Sequence, residues 1–480
     1  MRRREFLARA GAFCACLMSR PARAVLAGAE EAAKPLPDYY NAYLDAVAAK
    51  VNALAERTVD GFWFITDLHI ASNKRQSGKA IAALTAKVPS VRKTFCGGDL
   101  PVAFSQTFKT AKDGVDFAID YYRLFWVEPI EASGQLVYTA KGNHDFTIRH
   151  DPDSQEGYTC SGLEARRVVM GSKGCANVVT NAADPEACYY YFDNAAAKIR
   201  YIVADTTDLI DAKRPYWGVV YGMHETQLRW LADNAVATIP DGWSAVVVHH
   251  IPLTGCVGSE GDEQRFKVFR ELLEAYQNRG TCEVCGKTYD FSSAKGQVLL
   301  DLTGHHHAER QTFRNGILHV TEPCDAAYGD YIVGSKPWCG DLPPKASGTV
   351  FEQTFDAVQL DPAGGLVHFT RVGGGQDRVI HTKPLEAKVG QPLKVSAPHL
   401  KGPLTWGCYD ADRVVFKPNP KNRYVPLIEY ANGVAVIDGT GTLAAKKPGE
   451  AMVIAMDEKL NKEIFPVKVN EGPGKGRRET

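Results

Sequence analysis

At 480 residues the chain is too long for one ordinary domain, and two or three are expected. Hydrophobic residues make up 45% and charged residues 23%, as in an ordinary soluble globular protein. Lys+Arg and Asp+Glu each total 56, so no net field draws in nucleic acid or an acidic membrane, and no nucleic-acid partner is expected.

The first 29 residues read as a processing segment. Arg2 to Arg4 form a basic region, Ala10 to Met18 are apolar, and Ala22 to Ala24 fit a small-residue cleavage site, with Ala27 to Ala29 as an alternative. The apolar run is too short to span a bilayer, and no later stretch reads as a membrane helix. "RRREFL" resembles the twin-arginine export signal, which implies an exported protein in the periplasm or at the cell surface. Of twelve cysteines, Cys14 and Cys16 fall in this segment; the remaining ten are compatible with disulfides in an exported chain.

Residues 35–60 predict a helix with Tyr40, Tyr43, Leu44, Val47, Val51 and Leu54 near one face. An α/β region follows. Its strand candidates are Phe62–Thr66, Val91–Cys96, Leu136–Thr139, Tyr189–Phe192, Ile199–Ala204, Ala245–Val248 and Val298–Leu302, with a helix over 226–239. "GGGQDR" at 373–378 reads as a linker. From about 383 to 470, short alternating runs with Gly and Pro turns predict a small β-sandwich, and 471–480 a disordered tail. Val436, Asp438, Gly441, Leu443, Pro448–Gly449 and Val453–Ile454 resemble the bacterial immunoglobulin-like repeats of the intimin/invasin type, which implies association with a cell surface through this part.

Five segments share one layout, an apolar run ending in polar residues suited to metal binding. "FWFITDLHI" ends in Asp67 and His69, "VRKTFCGGDLP" in Asp99, and "LVYTAKGNHD" in Asn143, His144 and Asp145. "AVVVHHIP" ends in His249 and His250, and "VLLDLTGHHHAE" in His305, His306 and His307. If these runs are parallel strands of one sheet, all five clusters leave at its carboxyl edge, where open α/β sheets bind ligands. Asp, Asn and His together suit Mn, Fe, Zn or Ni rather than calcium alone. A carboxylate can bridge two such ions roughly 3.5–4 Å apart, and with no Ser or Cys nucleophile signature a metal-bound hydroxide is the expected nucleophile.

This ordered set resembles the calcineurin-like metallophosphoesterase superfamily over about residues 61–375. The resemblance implies two mixed β-sheets flanked by helices, an α/β sandwich, here followed by the small C-terminal β-sandwich. It further implies an exported phosphate mono- or diester hydrolase with two transition-metal ions and a small phosphate ester as substrate. Carried over by motif, Asp67, His69 and His307 would hold one ion, Asn143, His249 and His305 the other, and Asp99 both. In "HHIP" either His249 or His250 could bind, and the family pattern favours His249. His144 would stay off the ions and protonate or steady the leaving oxygen, Asp145 would orient His144, and His306 would point away. Purple acid phosphatases carry a Tyr three residues after the bridging Asp; that position is Val102 here, which disfavours that subfamily.

"TCEVCGK" places Cys282 and Cys285 as half of a zinc pattern, which Cys256, Cys324 or Cys339 could complete; a disulfide is the competing reading. The stretch 150–188, with Cys160, Cys175 and Cys188, follows the catalytic loop and would either shape the substrate pocket or be pinned by disulfides. Two rivals to the enzyme are a cell-surface binding or adhesion module on this scaffold and a metal-sequestering protein. The complete ligand set counts against the first, and a histidine held off the ions, His144, against the second.

Overall fold

The computed structural model describes residues 33–69, 76–100, 111–145, 147–149, 157–159, 162–210, 221–254, 263–325, 345–411, 414–417 and 427–472. The segment 1–29, Val102, Cys160, Cys256, Cys339 and the tail from 473 lie outside these residues.

The N-terminal helix α1 runs Asn41–Leu54 after a 3-10 turn at Asp38–Tyr40, and buries Leu44, Val47, Ala48 and Val51. Tyr43 is tied inward, accepting from the Gly373 amide at 2.7 Å. The next elements are β1 (Asp60–Ile65), α2 (Ser77–Lys87), β2 (Lys93–Cys96), α3 (Ala111–Tyr122) and β3 (Leu136–Thr139). Then come β4 (Val179–Thr180), β5 (Tyr190–Asn194), β6 (Ile199–Val203), α4 (Glu225–Trp230, widening to a π-helix over Leu231–Val236) and β7 (Ser244–Val248). They are followed by α5 (Glu263–Asn278), β8 (Gln297–Thr303), β9 (Arg310–Arg314), β10 (Ile317–Thr321), β11 (Thr354–Asp361), β12 (Leu366–Gly373) and β13 (Arg378–His381). The last strands are β14 (Leu385–Lys388), β15 (Pro392–Lys394), β16 (Thr405–Asp410), β17 (Ala435–Ile437), β18 (Thr442–Ala445), β19 (Gly449–Met456) and β20 (Lys462–Asn470).

These strands build two large mixed sheets. The ten-stranded sheet runs β16-β19-β20-β13-β12-β11-β1-β2-β3, with β14 beside β20. The seven-stranded sheet runs β9-β10-β8-β7-β6-β5-β4. The two mixed sheets that the resemblance implied are present: β1, β2 and β3 are parallel in the first, and β6, β7 and β8 in the second. Period-two alternation makes the layering. Phe62 and Phe64 join Val246, Val248, Leu300 and Leu302 in a core between the sheets. Their neighbours Trp63, Ile65 and Val247 belong to a second hydrophobic core, with helix residues such as Leu84 and Phe269. The carboxyl ends of both parallel sets meet at one rim.

The C-terminal β-rich region is continuous with the large sheet. Strand β20 pairs in parallel with β13, Arg378 opposite Lys462. The glycine-rich stretch at 373–378 is thus the turn from β12 into β13, and its Arg378 is fully buried. A second layer, β15-β18-β17, covers Val453, Phe465 and Val467 through Leu443, Ala435 and Val395. The Asp438 motif makes the β17–β18 turn: Asp438 Oδ1 accepts from the amides of Thr440 (2.8 Å) and Thr442 (2.9 Å). Among the described residues no helix is long and apolar enough to cross a membrane.

Candidate metal centre

Each site segment leaves its strand by a sharp turn. Asp67, His69, Asp99, His305 and His307 all take positive φ, between 39° and 70°. For residues with a Cβ this conformation costs on the order of 1–3 kcal/mol each, strain that clusters at functional sites. Two glycines let these turns close on one another. A Cβ at Gly142 would strike the Asp99 backbone and carboxylate, and one at Gly304 would strike Thr66 and the Asp67 carboxylate.

The two carboxylates are aimed in the same way. Asp67 Oδ2 accepts from Thr66 Oγ1 at 2.7 Å and from the His305 amide at 3.0 Å. Its buried Oδ1 faces His307 Nε2 at 3.1 Å and His250 Nε2 at 4.0 Å. Asp99 Oδ1 accepts from the His144 amide at 2.8 Å. Its Oδ2 faces His250 Nε2 at 3.3 Å, His144 Nε2 at 3.7 Å and His69 Nε2 at 3.8 Å. In both, one oxygen is fixed and the other is presented to imidazoles.

The ligand atoms of Asp67, His69, Asp99 and His307 all lie within 4.8 Å of one another. His69 Nε2 and His307 Nε2 stand 3.3 Å apart. Beside them Asn143 Oδ1 meets His250 Nε2 at 2.9 Å and His305 Nδ1 at 2.8 Å. Asp99 Oδ2 lies between the two groups. The electrostatics suit cations. Burial, reinforced by neighbouring histidines, pushes His69 and His305 down to about 3, so both are neutral donors of a lone pair. Burial also lowers His250, but Asp99 and Asp67 outweigh it and raise His250 to about 9. The carboxylates thus draw positive charge into a buried pocket, which two metal ions held by these residues would supply.

Two expected roles change. His250, not His249, joins the site. The pleat decides this: Val246 and Val248 face the other sheet, and His250 continues that side. His249 instead continues the Val247 side, with its ring 6.3 Å from Phe269 of α5. There it binds Asp301 Oδ1 through Nε2 at 2.6 Å, while Nδ1 meets Ile251 O at 2.9 Å. Asp145 does not orient His144. Its carboxylate accepts from the amides of Leu100 (2.6 Å), Gly142 (2.7 Å) and Asp99 (3.1 Å), and so ties the Asp99 and Asn143 loops together. His144 stands at the rim, 22% exposed, its ring 5.3 Å from His69. His306 has its ring 5.3 Å from that of His305.

The pleat argument predicts a contrast between neighbours. His250→Ala should lower metal affinity at least about tenfold, since even residues behind metal ligands are worth that much. His249→Ala should keep the ions but destabilise the fold by on the order of 1–3 kcal/mol, because Asp301 loses a buried partner. Elemental analysis and urea unfolding of both variants check this.

Other cysteine expectations also change. Cys175, Cys188, Cys282 and Cys285 carry free thiols. Cys282 and Cys285 sit in a two-stranded hairpin (Thr281–Val284 with Lys287–Asp290), and among the described residues no third metal-ligating side chain joins them. Cys324 lies instead beside His307. Sequence reasoning missed this placement, and also Thr66, whose only signal was adjacency to Asp67.

No family model matches the chain, and no curated protein matches it. The solved structures it is similar to include PhoD, with TM-score 0.43 and 10% identity over 87% of this chain and 72% of that one. Another is the anchor in the inner membrane complex of Plasmodium, with TM-score 0.35 and 13% identity over 65% and 84%. A third is the phosphopantetheinyl hydrolase of Mycobacterium tuberculosis, with TM-score 0.25 and 13% identity over 55% and 90%. Likeness of this degree leaves the chemistry to be read from the chain's own side chains.

Proposed function

We propose that this chain is an exported, metal-dependent phosphoric ester hydrolase acting on small phosphate mono- or diesters. The observation that carries the reading is Asp99 Oδ2, placed between His69 of one ligand group and His250 of the other. Asp67, His69 and His307 would hold one ion and Asn143, His250 and His305 the second, with Asp99 shared. Two ions held there would supply Lewis-acid activation of water and charge neutralisation for a phosphoryl group. The protein's own part is positional. Asp145 and Thr66 fix the carboxylate loops, and the positive-φ turns set the donors facing inward before substrate arrives. His144 stands at the rim, off the two ligand groups, where it would protonate or steady the leaving oxygen; burial holds it below the ordinary histidine range against the pull of Asp99. The balance of 56 basic and 56 acidic residues favours small esters over long nucleic acids. Export rests on the basic-apolar segment at the N-terminus.

The test is elemental analysis with hydrolysis of p-nitrophenyl phosphate and bis-p-nitrophenyl phosphate. About two transition-metal ions at this centre and turnover lost on chelation are expected. His144→Ala should keep both ions while turnover falls by about 10²–10⁴. Equal loss of metal and turnover would remove the proposed role of His144, and metal without hydrolysis of either ester would remove the enzyme.

A further inference from the structure

A second cluster of metal-ligating side chains lies away from this centre, where the C-terminal strands join the large sheet. His368 on β12 is opposite Val379 on β13, and Val379 is opposite Glu463 on β20. Residues in register share a face, and His381 lies two places beyond Val379 on that same face. Val367, Ile380 and Ile464, which alternate with them, point into the core between the sheets. His368, His381 and Glu463 therefore emerge together on the outer face. His399, in the connection between β15 and β16, meets them there.

Three donor atoms converge. Glu463 Oε1 meets His381 Nε2 at 2.9 Å and His399 Nδ1 at 2.8 Å. Glu463 Oε2 is held by the His399 amide at 2.9 Å. The three ligand atoms lie within 4.8 Å of one another. Two donors on one zinc ion, at roughly 2.0–2.1 Å each, stand well inside that separation. The carboxylate side chain is 0% exposed, while the imidazoles are 24% and 23% exposed, which leaves an entry path. Among the described residues no Lys or Arg pairs with Glu463, so its buried carboxylate is met by two imidazoles and one backbone amide. His368 borders the group with its ring 6.1 Å from that of His399, and its buried Nε2 has no hydrogen-bond partner. A buried ring nitrogen without a partner is uncommon and asks for a ligand.

We propose that His381, His399 and Glu463, with His368 beside them, form a separate transition-metal site of zinc type that clamps the loop before β16 to the junction of β13 and β20. Two imidazoles and a carboxylate suit zinc, and an ion there would neutralise Glu463. The role is structural: the ligands come from β12 and β13 (His368, His381), from β20 (Glu463) and from the loop before β16 (His399), so one ion joins that loop to the sheet.

The test uses the full chain, loaded with zinc, desalted and analysed for metal, beside His381→Gln and His399→Gln made separately. Each variant is expected to hold one zinc fewer than the parent, with ester hydrolysis unchanged. Zinc should also raise the parent's melting temperature above that of either variant treated alike. The two substitutions lie in different elements, so a folding failure in one leaves the other to decide. Equal zinc content in the parent and either folded variant overturns the proposal, as does removal of the difference by desalting alone. The readout is a difference in stoichiometry, so it stands whether or not the chain proves to be a hydrolase. A Cys282→Ser control with unchanged zinc excludes the hairpin thiols as the source.

Discussion

Asp99→Asn is expected to empty both halves of the centre and to lower turnover on the order of 10³-fold or more, several kcal/mol of transition-state stabilisation. The substitution is nearly isosteric, so its effect isolates charge. Asn can keep an oxygen where Asp99 Oδ1 accepts from the His144 amide at 2.8 Å. It then turns an NH₂ toward His250 Nε2 and His69 Nε2, which stand 3.3 Å and 3.8 Å from Oδ2. Two ring nitrogens that faced an anion would face hydrogen-bond donors, and the shared ligand would be gone. His69→Ala should behave differently. It removes one ligand from the Asp67–His307 group but leaves Asn143, His250, His305 and Asp99 in place, so about one ion should remain. Elemental analysis of the two variants, with ester turnover, separates the cases. If Asp99→Asn kept two ions, Asp99 would not be the shared ligand.

Much of this centre was legible because its residues sit at strand ends, and strands are readable from apolar runs. Asp67, His69, Asp99 and His307 converge, and Asn143 and His305 meet beside them; the resemblance, rather than the spacing, pointed to this set. The choice between His249 and His250 was not legible from the motif. It depends on which side of β7 faces the opposing sheet, and an all-apolar strand with Val246, Val247 and Val248 buried on both faces hides its parity. Asp145 was misread for a related reason. Nothing in "GNHD" shows that three amides, those of Leu100, Gly142 and Asp99, converge on it from two loops. The division of the strands between two sheets was legible from the resemblance and not from the strand pattern, because parallel strands of either sheet read as similar hydrophobic runs. The texture change near 383 was real as sequence, yet β20 returns to pair with β13. Such a long-range pairing leaves no local trace.

The largest effect on stability is expected from Arg378→Met, about 3–5 kcal/mol, because it breaks a buried ionic cluster from one side only. Arg378 is fully buried. Its Nη2 donates to Asp356 Oδ2 at 2.6 Å and to Glu322 Oε1 at 2.9 Å, and its Nη1 lies 2.8 Å from Glu309 Oε2. Arg371 Nε donates to Asp356 Oδ1 at 2.9 Å, and Lys462 Nζ to Glu309 Oε1 at 2.7 Å. With Arg378 gone, the carboxyl groups of Asp356, Glu322 and Glu309 are left with two cations in a buried site. Burial, then the charge of Asp356, already pushes Glu322 well above the ordinary carboxylate range. The variant should push it further, and the sign of the pH dependence follows. A carboxyl whose folded pKa lies above its unfolded value binds more protons when folded, so stability falls as pH rises through that interval. The deficit of Arg378→Met should therefore be larger at pH 8 than at pH 5, and adding Glu322→Gln should recover part of it. Urea unfolding at the two pH values reads both effects; a cost under about 1 kcal/mol at pH 8 would mean the cluster contributes little beyond an exposed ion pair. The cluster also reaches the metal centre. Glu309 follows His307 by two residues, and its carboxylate is held by Arg371, Arg378 and Lys462. Loosening that anchor should weaken the Asp67–His307 half of the centre before the Asn143–His305 half, since only the first is tied to it through His307.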